Sequence, residues 1–491
     1  MIREYRMWID GRWCGSEDHE ILAVEDPSTQ QTIAYVQAAT EAQVDQAVRS
    51  AISVREMFRR TPVGVRYRLL LRIAGEIEKD TEKIARMLSL EQGKPLFREA
   101  IPEVEGVIAD FRQAAEDLLR MNGEVISSTA DGTKAVVTRE ADGVYGVITP
   151  WNYPLDMAVQ YIAPCLAVGN PVVYKPASST PICSILMAEA MERAFLQENI
   201  SPKVFQLVTG TGAKVGSVLA AHPLLDGIAF TGETSTGIEI LRRAGLKKVV
   251  LELGGNGPTI VLDDCDVRAA AEGAAAGLLD NAGQICSGTE RILVQRGVKD
   301  AFLRELLQCM RTAKLGSPLS PDTTLGPLNN EAGVRKLELQ VQDAVAKGAK
   351  LLCGGHRAPQ YGSRLFFEPT VLDGVTDQML IYQEETFGPV APVTVFDADE
   401  DALRMSGDSG YGLQMAVFTR SMRRARRFAA ELRTGCVSVN LSSEYYERQF
   451  PFGGAVGTRS GWGRVGGKFG LEQVSHVKSI LVNTEVQDDA F

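Results

Sequence analysis

The hydrophobic pattern of residues 1–125 predicts short strands followed by a layer of helices. Thr40 can cap the first helix because Gln43 stands three residues later, the spacing of a reciprocal helix cap. The segments 65–90 and 100–120 then repeat apolar residues at helical spacing. Each has one apolar and one polar face, so both predict helices that pack on a core.

Further along the chain, short apolar runs alternate with helical segments. The runs at 171–174, 227–230 and 249–251 predict strands of parallel β-α-β units. A second region of the same kind begins with a strand at 291–295 and a helix at 299–314. The sequence therefore predicts an α/β fold, in which a ligand lies beyond the carboxyl ends of the strands.

Two segments have the pattern of antiparallel strands. Residues 134–149 contain two strand-like runs joined by Asp142 and Gly143, a pair favoured in hairpin turns. The tail from Val474 alternates apolar and polar residues, as an exposed strand does. An unpaired strand edge can bind a second chain, so these segments are candidate oligomer contacts.

Composition excludes several classes of protein. The chain has 491 residues, of which 45% are hydrophobic and 23% charged, and its net charge is −10. This is a globular composition, long enough for two or three domains. The acidic balance disfavours nucleic acid, and no apolar run is long enough for a membrane span or a signal peptide. We therefore predict a cytoplasmic protein that binds neither nucleic acid nor membrane.

Cysteine and histidine spacing argues against a metal site. The eight cysteines are scattered singly, and the four histidines show no ligand spacing. We predict reduced thiols and no bound metal. The absence of G-x-S-x-G also disfavours a serine nucleophile.

Candidate chemistry concentrates between Lys247 and Glu290. Glu252 precedes a Gly-Gly turn, and Cys286 follows an Ala-rich helical segment that breaks at Gly283. Cysteine attacks as its thiolate and a carboxylate can act as general base, so this pair suggests covalent catalysis followed by hydrolysis. Taken alone, a single cysteine is more often a small buried apolar residue. The glycine-rich turns near 210 and 232 could bind phosphate, but each is equally well explained as a tight turn.

Seven motifs in order make the chain resemble the aldehyde dehydrogenase superfamily along nearly its whole length. They are P-W-N-Y-P at 150–154, K-P at 175–176, F-T-G at 230–232, E-L-G-G-N at 252–256, G-Q-I-C at 283–286, E-E-T-F-G-P at 384–389 and P-F-G-G at 451–454. The resemblance implies two Rossmann-like parallel-sheet domains plus a small β extension for oligomerisation. The implied division is a dinucleotide-binding domain at 1–125 and 146–254, a catalytic domain at 255–455, and oligomerisation strands at 126–145 and 472–491 of a homodimer or homotetramer.

The resemblance also implies NAD(P)-dependent oxidation of an aldehyde to a carboxylic acid. Cys286 would attack the aldehyde, and the Asn152 amide with the backbone N–H of Cys286 would hold the oxyanion. Hydride loss would leave a thioester on Cys286, which water activated by Glu252 would hydrolyse. Two alternatives stay open. The first is acyl transfer to coenzyme A, which the presence of Glu252 disfavours. The second is a relative that binds a ligand without catalysis, which the presence of Cys286, Asn152 and Glu252 together disfavours.

The implied cofactor is NAD or NADP. Lys175 would bind the adenosine ribose and Glu385 the nicotinamide ribose, with Phe387 beside it. Many members carry a carboxylate where this chain has Ser178, and its loss removes an obstacle to the 2′-phosphate of NADP, although Glu233 could restore one. The predicted cofactor set is Trp151, Lys175, Ser178, Gly212, Gly232, Glu233, Glu385 and Phe387.

The substrate is predicted from charge. Members that oxidise succinic semialdehyde carry arginine where this chain has Gln160 and Asp280. Asp156 and three acids of the 100–120 helix would attract a cation, which favours an amino- or ammonium-aldehyde. A semialdehyde or a neutral aliphatic or aromatic aldehyde stays open, because these acids could be ordinary solvated groups. The predicted pocket is Tyr153, Met157, Gln160, Asp280, Ile285, Ser287 and Tyr445.

Overall fold

The computed structural model describes residues 3–484, whose strands form four β-sheets. Two of these sheets are large and mostly parallel, which confirms the predicted α/β fold. The strands are β1 (Arg3–Tyr5), β2 (Met7–Ile9), β3 (Arg12–Cys14), β4 (Ile21–Asp26), β5 (Gln31–Gln37), β6 (Glu124–Ser127), β7 (Thr133–Ala141), β8 (Tyr145–Ile148), β9 (Val172–Lys175), β10 (Phe205–Leu207), β11 (Gly227–Thr231), β12 (Lys248–Glu252), β13 (Pro258–Val261), β14 (Arg291–Gln295), β15 (Lys350–Cys353), β16 (Thr370–Asp373), β17 (Val390–Phe396), β18 (Gln414–Phe418), β19 (Cys436–Val439), β20 (Gly461–Trp462) and β21 (Ser475–Asn483).

The helices cover both faces of the large sheets. They are α1 (Glu41–Ser53), α2 (Arg55–Arg59), α3 (Val63–Lys79), α4 (Thr81–Gln92), α5 (Ile101–Leu119), α6 (Asp156–Val168), α7 (Ile182–Gln197), α8 (Ser217–Ala221), α9 (Thr234–Ala244), α10 (Val267–Leu279), α11 (Lys299–Met310), α12 (Glu331–Ala346), α13 (Leu380–Gln383), α14 (Asp399–Gly407), α15 (Met422–Glu431) and α16 (Gly467–Gln473). Thr40 and Gln43 form the predicted reciprocal cap of α1. The predicted helix at 65–90 is two helices, α3 and α4, which meet at Asp80.

The eight-stranded sheet creates a ligand crevice. Its order is β20-β12-β11-β8-β9-β10-β2-β3, and the strands from β12 to β10 are parallel. After β8 the chain adds β9 and β10 on one side and then β11 and β12 on the other. The order therefore reverses between β8 and β11, and a crevice is expected beyond their carboxyl ends. Those ends lead into 149–152 and 231–233, which carry predicted site residues.

The seven-stranded sheet has the order β15-β16-β17-β14-β13-β18-β19, with only β15 antiparallel. Residues 253–257 carry the chain directly from β12 of the first sheet to β13 of this one. Cys286 lies in the connection from β13 through α10 to β14. The two large sheets thus approach each other where Glu252 ends one and Cys286 follows α10.

The predicted hairpin at Asp142-Gly143 is wrong. β7 pairs with β6 and β21 in a small antiparallel sheet, whereas β8 joins the large parallel sheet. β8 is buried along its whole length, and burying it between two parallel neighbours outweighs a local turn. The N–H of Gly143 donates to the side chain of Asn170, so this turn fixes the exit toward β8.

The predicted tail strand is β21, which pairs along its length with β7. The last part of the predicted oligomerisation strand, residues 485–491, lies outside the described residues. No helix within residues 3–484 is long and apolar enough to cross a membrane.

Candidate active site

Cys286 follows a tight turn of unusual backbone conformation. After α10 the chain makes a short 3₁₀ turn in which Asn281, Ala282 and Gly283 have φ of 47°, 54° and 72°. Such angles disfavour residues with a side chain, so Asn281 and Ala282 must be held in place by their surroundings. A Cβ at position 283 would lie 2.3 Å from the carbonyl oxygen of Gly388, which explains the glycine there.

Buried amide side chains hold this turn. Asn281 donates from Nδ2 to the carbonyl of Asn152 at 3.0 Å, and Gln92 donates from Nε2 to Asn281 Oδ1 at 2.9 Å. Asn152 donates from its own amide to the carbonyl of Gln284 at 2.8 Å. The predicted oxyanion residue and the loop before Cys286 are therefore fixed to each other. A side-chain amide has two N–H groups, so Asn152 keeps a second donor.

Glu252 is brought against the cysteine loop by the turn that follows it. A Cβ at Gly255 would overlap the carbonyl oxygen of Cys286, so only glycine permits this approach. Glu252 is buried, with 1% of its surface exposed, and neither carboxylate oxygen has a hydrogen-bond partner within residues 3–484. Burial raises the pKa of Glu252 well above its usual range, and Arg464 opposes that shift only in part.

Cys286 lies where two cavities meet. Burial, followed by the nearby carboxylates Glu252 and Glu385, raises the pKa of the Cys286 thiol above its ordinary value. The resting side chain is therefore a thiol, and an attack by sulfur requires a base that takes its proton.

The first cavity, of about 220 Å³, lies on the crevice side. Five of the eight predicted cofactor residues line it, and the rings of Trp151 and Phe387 meet edge to face at 5.7 Å. Sequence reasoning missed Lys336 of α12, which lines the same cavity and belongs to no motif. The five residues are Trp151, Gly232, Glu233, Glu385 and Phe387.

Glu385 and Phe387 are held by backbone contacts. The N–H of Gly255 donates to Glu385 Oε1 at 2.8 Å, which links this loop to the turn after Glu252. Phe387 has a φ of 57°, and its N–H donates to the carboxylate of buried Glu290. Burial and the neighbouring Glu385 raise the pKa of Glu290 to about 8.

Lys175 ends β9 and Ser178 lies in the turn after it, whereas Gly212 follows β10; none of the three is in the described lining of that cavity. Lys175 is buried, and its Nζ donates to the carbonyl of Pro176 at 2.8 Å. Burial lowers the pKa of Lys175 to about 8. Residues 3–484 give this ammonium no carboxylate partner, so it fits an oxygen-rich ligand such as a ribose. Ser178 and Gly212 are exposed.

The second cavity, of about 400 Å³, contains all seven predicted substrate residues. Sequence reasoning did not place Glu444, Phe452 or Val465 there. Phe452 belongs to the P-F-G-G motif and could have been found, whereas Glu444 carries no motif signal. The full lining is Tyr153, Asp156, Met157, Gln160, Asp280, Ile285, Cys286, Ser287, Glu444, Tyr445, Tyr446, Phe452 and Val465.

The lining of this cavity is acidic. Asp156, Asp280 and Glu444 line it, and no Lys, Arg or His stands among its described lining residues. Tyr153 donates its hydroxyl to Asp280 Oδ2 at 3.1 Å. Glu444 Oε2 is buried without a partner in the described chain, and burial together with Asp280 raises the pKa of Glu444 to about 8.

The acidic side chains of α5 contribute less to the second cavity than the sequence predicts. Glu103 bonds to buried Lys94 at 2.6 Å, and Asp110 lies 3.1 Å from Arg448. Glu105 is exposed. None of these three lines the second cavity as described, so its acidic lining consists of Asp156, Asp280 and Glu444. The structure brings together no group of three side chains within 3–484 that could hold a metal ion.

A cysteine between a nucleotide-type crevice and a second cavity is the arrangement of a covalent, cofactor-dependent enzyme. The sequence profile of the aldehyde dehydrogenase family matches residues 13–480, and the chain belongs to that family. The mitochondrial succinate-semialdehyde dehydrogenase of Arabidopsis thaliana is 37% identical over 479 residues, covering 96% of this chain and 88% of the relative.

Solved structures agree with this assignment. A point mutant of Staphylococcus aureus betaine aldehyde dehydrogenase bound to NAD⁺ superposes with a TM-score of 0.93 at 35% identity, covering 99% of this chain and 98% of the other. A glyceraldehyde-3-phosphate dehydrogenase from Methanocaldococcus jannaschii bound to NADP superposes with a TM-score of 0.90 at 33% identity, covering 94% and 99%. The chain is therefore an oxidoreductase of the aldehyde dehydrogenase class.

Proposed function

We propose that this chain oxidises an aldehyde to a free carboxylic acid, with Cys286 as nucleophile and Glu252 as general base. The observation that carries the proposal is the position of Cys286 between two cavities. An aldehyde in the acidic cavity and a nicotinamide in the crevice would both reach the same residue, Cys286. Holding both reactants against one atom is a large part of the rate enhancement in such a reaction.

The first step is attack by sulfur on the aldehyde carbon. Burial raises the pKa of the thiol, so sulfur keeps its proton until a base takes it, and Glu252 is the carboxylate that affects this pKa most strongly. The carbonyl oxygen gains the negative charge. The free N–H of Asn152 and the backbone N–H of Cys286 would stabilise this oxyanion. Since Asn152 is fixed to the loop before Cys286, its donor is oriented before substrate binds.

The second step needs a hydride acceptor, which NAD⁺ or NADP⁺ supplies when bound. Lys175 would hold its adenosine ribose and Glu385 its nicotinamide ribose, with Trp151 and Phe387 enclosing the ring. Glu385 accepts a hydrogen bond from the N–H of Gly255, and breaking that bond would free its carboxylate to bind the sugar hydroxyls.

The third step is hydrolysis of the thioester on Cys286. Glu252 would first pass the proton taken from the thiol to solvent, and its two oxygens, which have no partner within residues 3–484, would then orient a water and take its proton. The C–S bond then breaks, the acid leaves, and sulfur recovers its proton. A base in this position favours water over coenzyme A as the acyl acceptor.

Cys286→Ala is expected to lower kcat by about a thousandfold or more, because Cys286 is the only thiol in the described lining of the two cavities. Cofactor affinity should stay near that of the wild type, as measured by fluorescence titration. Glu252→Gln is expected to slow thioester hydrolysis about a hundredfold. Substantial turnover by the Cys286 variant would refute the nucleophile assignment.

Cofactor choice is predicted from Ser178. Without a carboxylate there, NADP is expected to be used at least comparably with NAD. Ser178→Glu should lower kcat/KM for NADP about tenfold through repulsion of the 2′-phosphate, with little change for NAD. The two cofactors are compared with one aldehyde by reduced-cofactor absorbance. A strong preference of the wild type for NAD would contradict this prediction and assign the choice to Glu233 or to the shape of the backbone.

The substrate proposed is an amino- or ammonium-aldehyde. Asp280 supplies negative charge and Glu444 adds to it above about pH 8, while Tyr445, Tyr446 and Phe452 supply aromatic surfaces that attract cations. Of the relatives described above, the Arabidopsis thaliana enzyme is named for succinate semialdehyde and the Staphylococcus aureus enzyme for betaine aldehyde. The lack of a cation in the described lining argues against the carboxylated choice.

A quaternary ammonium aldehyde is expected to show a higher kcat/KM than the neutral tert-butyl aldehyde of the same shape or succinic semialdehyde. Because the pKa of Glu444 is raised to about 8, this carboxyl is neutral below that pH and charged above it. The KM of the cationic substrate should therefore fall as pH rises through about 8, and Glu444→Gln should remove that change and raise the KM about tenfold above that pH. Preference for succinic semialdehyde would contradict the charge argument.

We also propose that the first sheet and its helices form the dinucleotide-binding domain (1–125 and 146–254), the second the catalytic domain (255–455), and the small sheet an oligomerisation surface. The small sheet has the order β21-β7-β6, and Val125 and Leu481 on its outer strands are more than 70% exposed. Apolar side chains this exposed favour a partner surface. A cytoplasmic location stays a prediction, consistent with eight free cysteines.

A homodimer or homotetramer is the expected state, measured by light scattering at micromolar concentration. Leu481→Asp should shift the protein toward smaller species, because it places a charge in the proposed contact. Leu339→Asp is the matched control, since Leu339 is an exposed apolar residue of α12 away from this sheet. A monomeric wild-type protein would contradict the proposal.

A further inference from the structure

Residues 91–94, at the end of α4, contact three parts of the active site although none belongs to the predicted site. Gly93 ends the helix with a φ of 102°, and a Cβ there would lie 2.9 Å from Pro27 and 3.1 Å from Pro327. The turn is therefore fixed between two prolines, and the side chains on either side of Gly93 are aimed from a rigid base.

Lys94 contacts the loop that carries Asn152. Its side chain is fully buried, its Nζ lies 2.6 Å from Glu103 Oε2, and it lies 3.8 Å from the centre of the Tyr153 ring. Glu103 in turn accepts the N–H groups of Leu155 and Asp156 at 3.1 and 3.2 Å. One ammonium thus holds both Tyr153 and the start of α6, which carries substrate-cavity residues.

Gln92 contacts the loop that carries Cys286. Its Nε2 donates to Asn281 Oδ1, and the amide of Asn281 donates to the carbonyl of Asn152. Glu91, one residue earlier, accepts the N–H groups of Ile182 and Cys183 at 2.8 and 2.7 Å. That bond pair caps α7, the helix that follows the Lys175 loop. Nucleophile, oxyanion donor and cofactor loop are therefore tied to one turn.

Stability alone does not explain this arrangement. Burying an ion pair costs desolvation that its attraction rarely exceeds, and an apolar pair of similar volume is often as stable. Buried charges do, however, fix geometry, because each allows few alternative partners. We propose that Lys94 and Gln92 are positioning residues that hold the Asn152 and Cys286 loops in register, an inference that rests on the proposed function.

The test compares Lys94→Met and Gln92→Leu with the wild type. Each is expected to lower kcat about tenfold or more while the cofactor KM changes less than about twofold, because the contacts orient the reacting groups. Amide hydrogen exchange, followed by mass spectrometry, should accelerate in 151–156 for the first variant and in 280–286 for the second. Lys83→Met is the control, since this α4 lysine forms an exposed pair with Glu189 at 2.8 Å and should change neither readout.

A double variant separates positioning from folding. Lys94→Met leaves Glu103 buried without its cation, so its Tm should fall; Lys94→Met with Glu103→Gln should recover Tm but not kcat. Recovery of both, or wild-type kcat and exchange in the single variants, would overturn the proposal. If the wild type oxidises no aldehyde, the proposed function fails, whereas the exchange measurement still tests the positioning role by itself.

Discussion

The site depends on one close approach, that of Gly255 to the carbonyl of Cys286. Glu252 ends a strand of the first sheet, and Cys286 belongs to a connection of the second. Residues 253–257 span the two sheets, and any side chain at 255 would separate them. The glycine turn therefore brings the proposed base and the proposed nucleophile together from different sheets, and places both where the parallel strand order creates a crevice.

This approach is useful only if the loop before Cys286 keeps its shape. Two residues with side chains, Asn281 and Ala282, adopt left-handed angles there, at a cost of roughly 1–3 kcal/mol each. The opposing term is a set of buried amide hydrogen bonds, each contributing about 1 kcal/mol. Asn281 takes part in several of them, so the residue that carries backbone strain also anchors the loop.

Sequence patterns predicted features that depend on neighbours along the chain or on complete motifs. The cap of α1 is local, and Trp151, Asn152 and Cys286 lie within motifs whose order is preserved. Glu444 could not be predicted, because it belongs to no motif and Asp280, the acid that helps to raise its pKa, is far away in sequence. The hairpin predicted at Asp142-Gly143 is wrong because a local turn preference was weaker than burial of β8 in the parallel sheet.

The acids around the substrate cavity divide by whether they have a cation. Glu103 is paired with Lys94 and Asp110 with Arg448, and both fix helices behind the cavity wall. Asp280 and Glu444 form no ion pair within residues 3–484 and face the cavity itself. A count of carboxylates along the sequence cannot make this distinction. Burial and pairing distinguish acids that hold the structure from acids that remain available to a ligand. Here the available acids, Asp280 and Glu444, line the same cavity as Cys286.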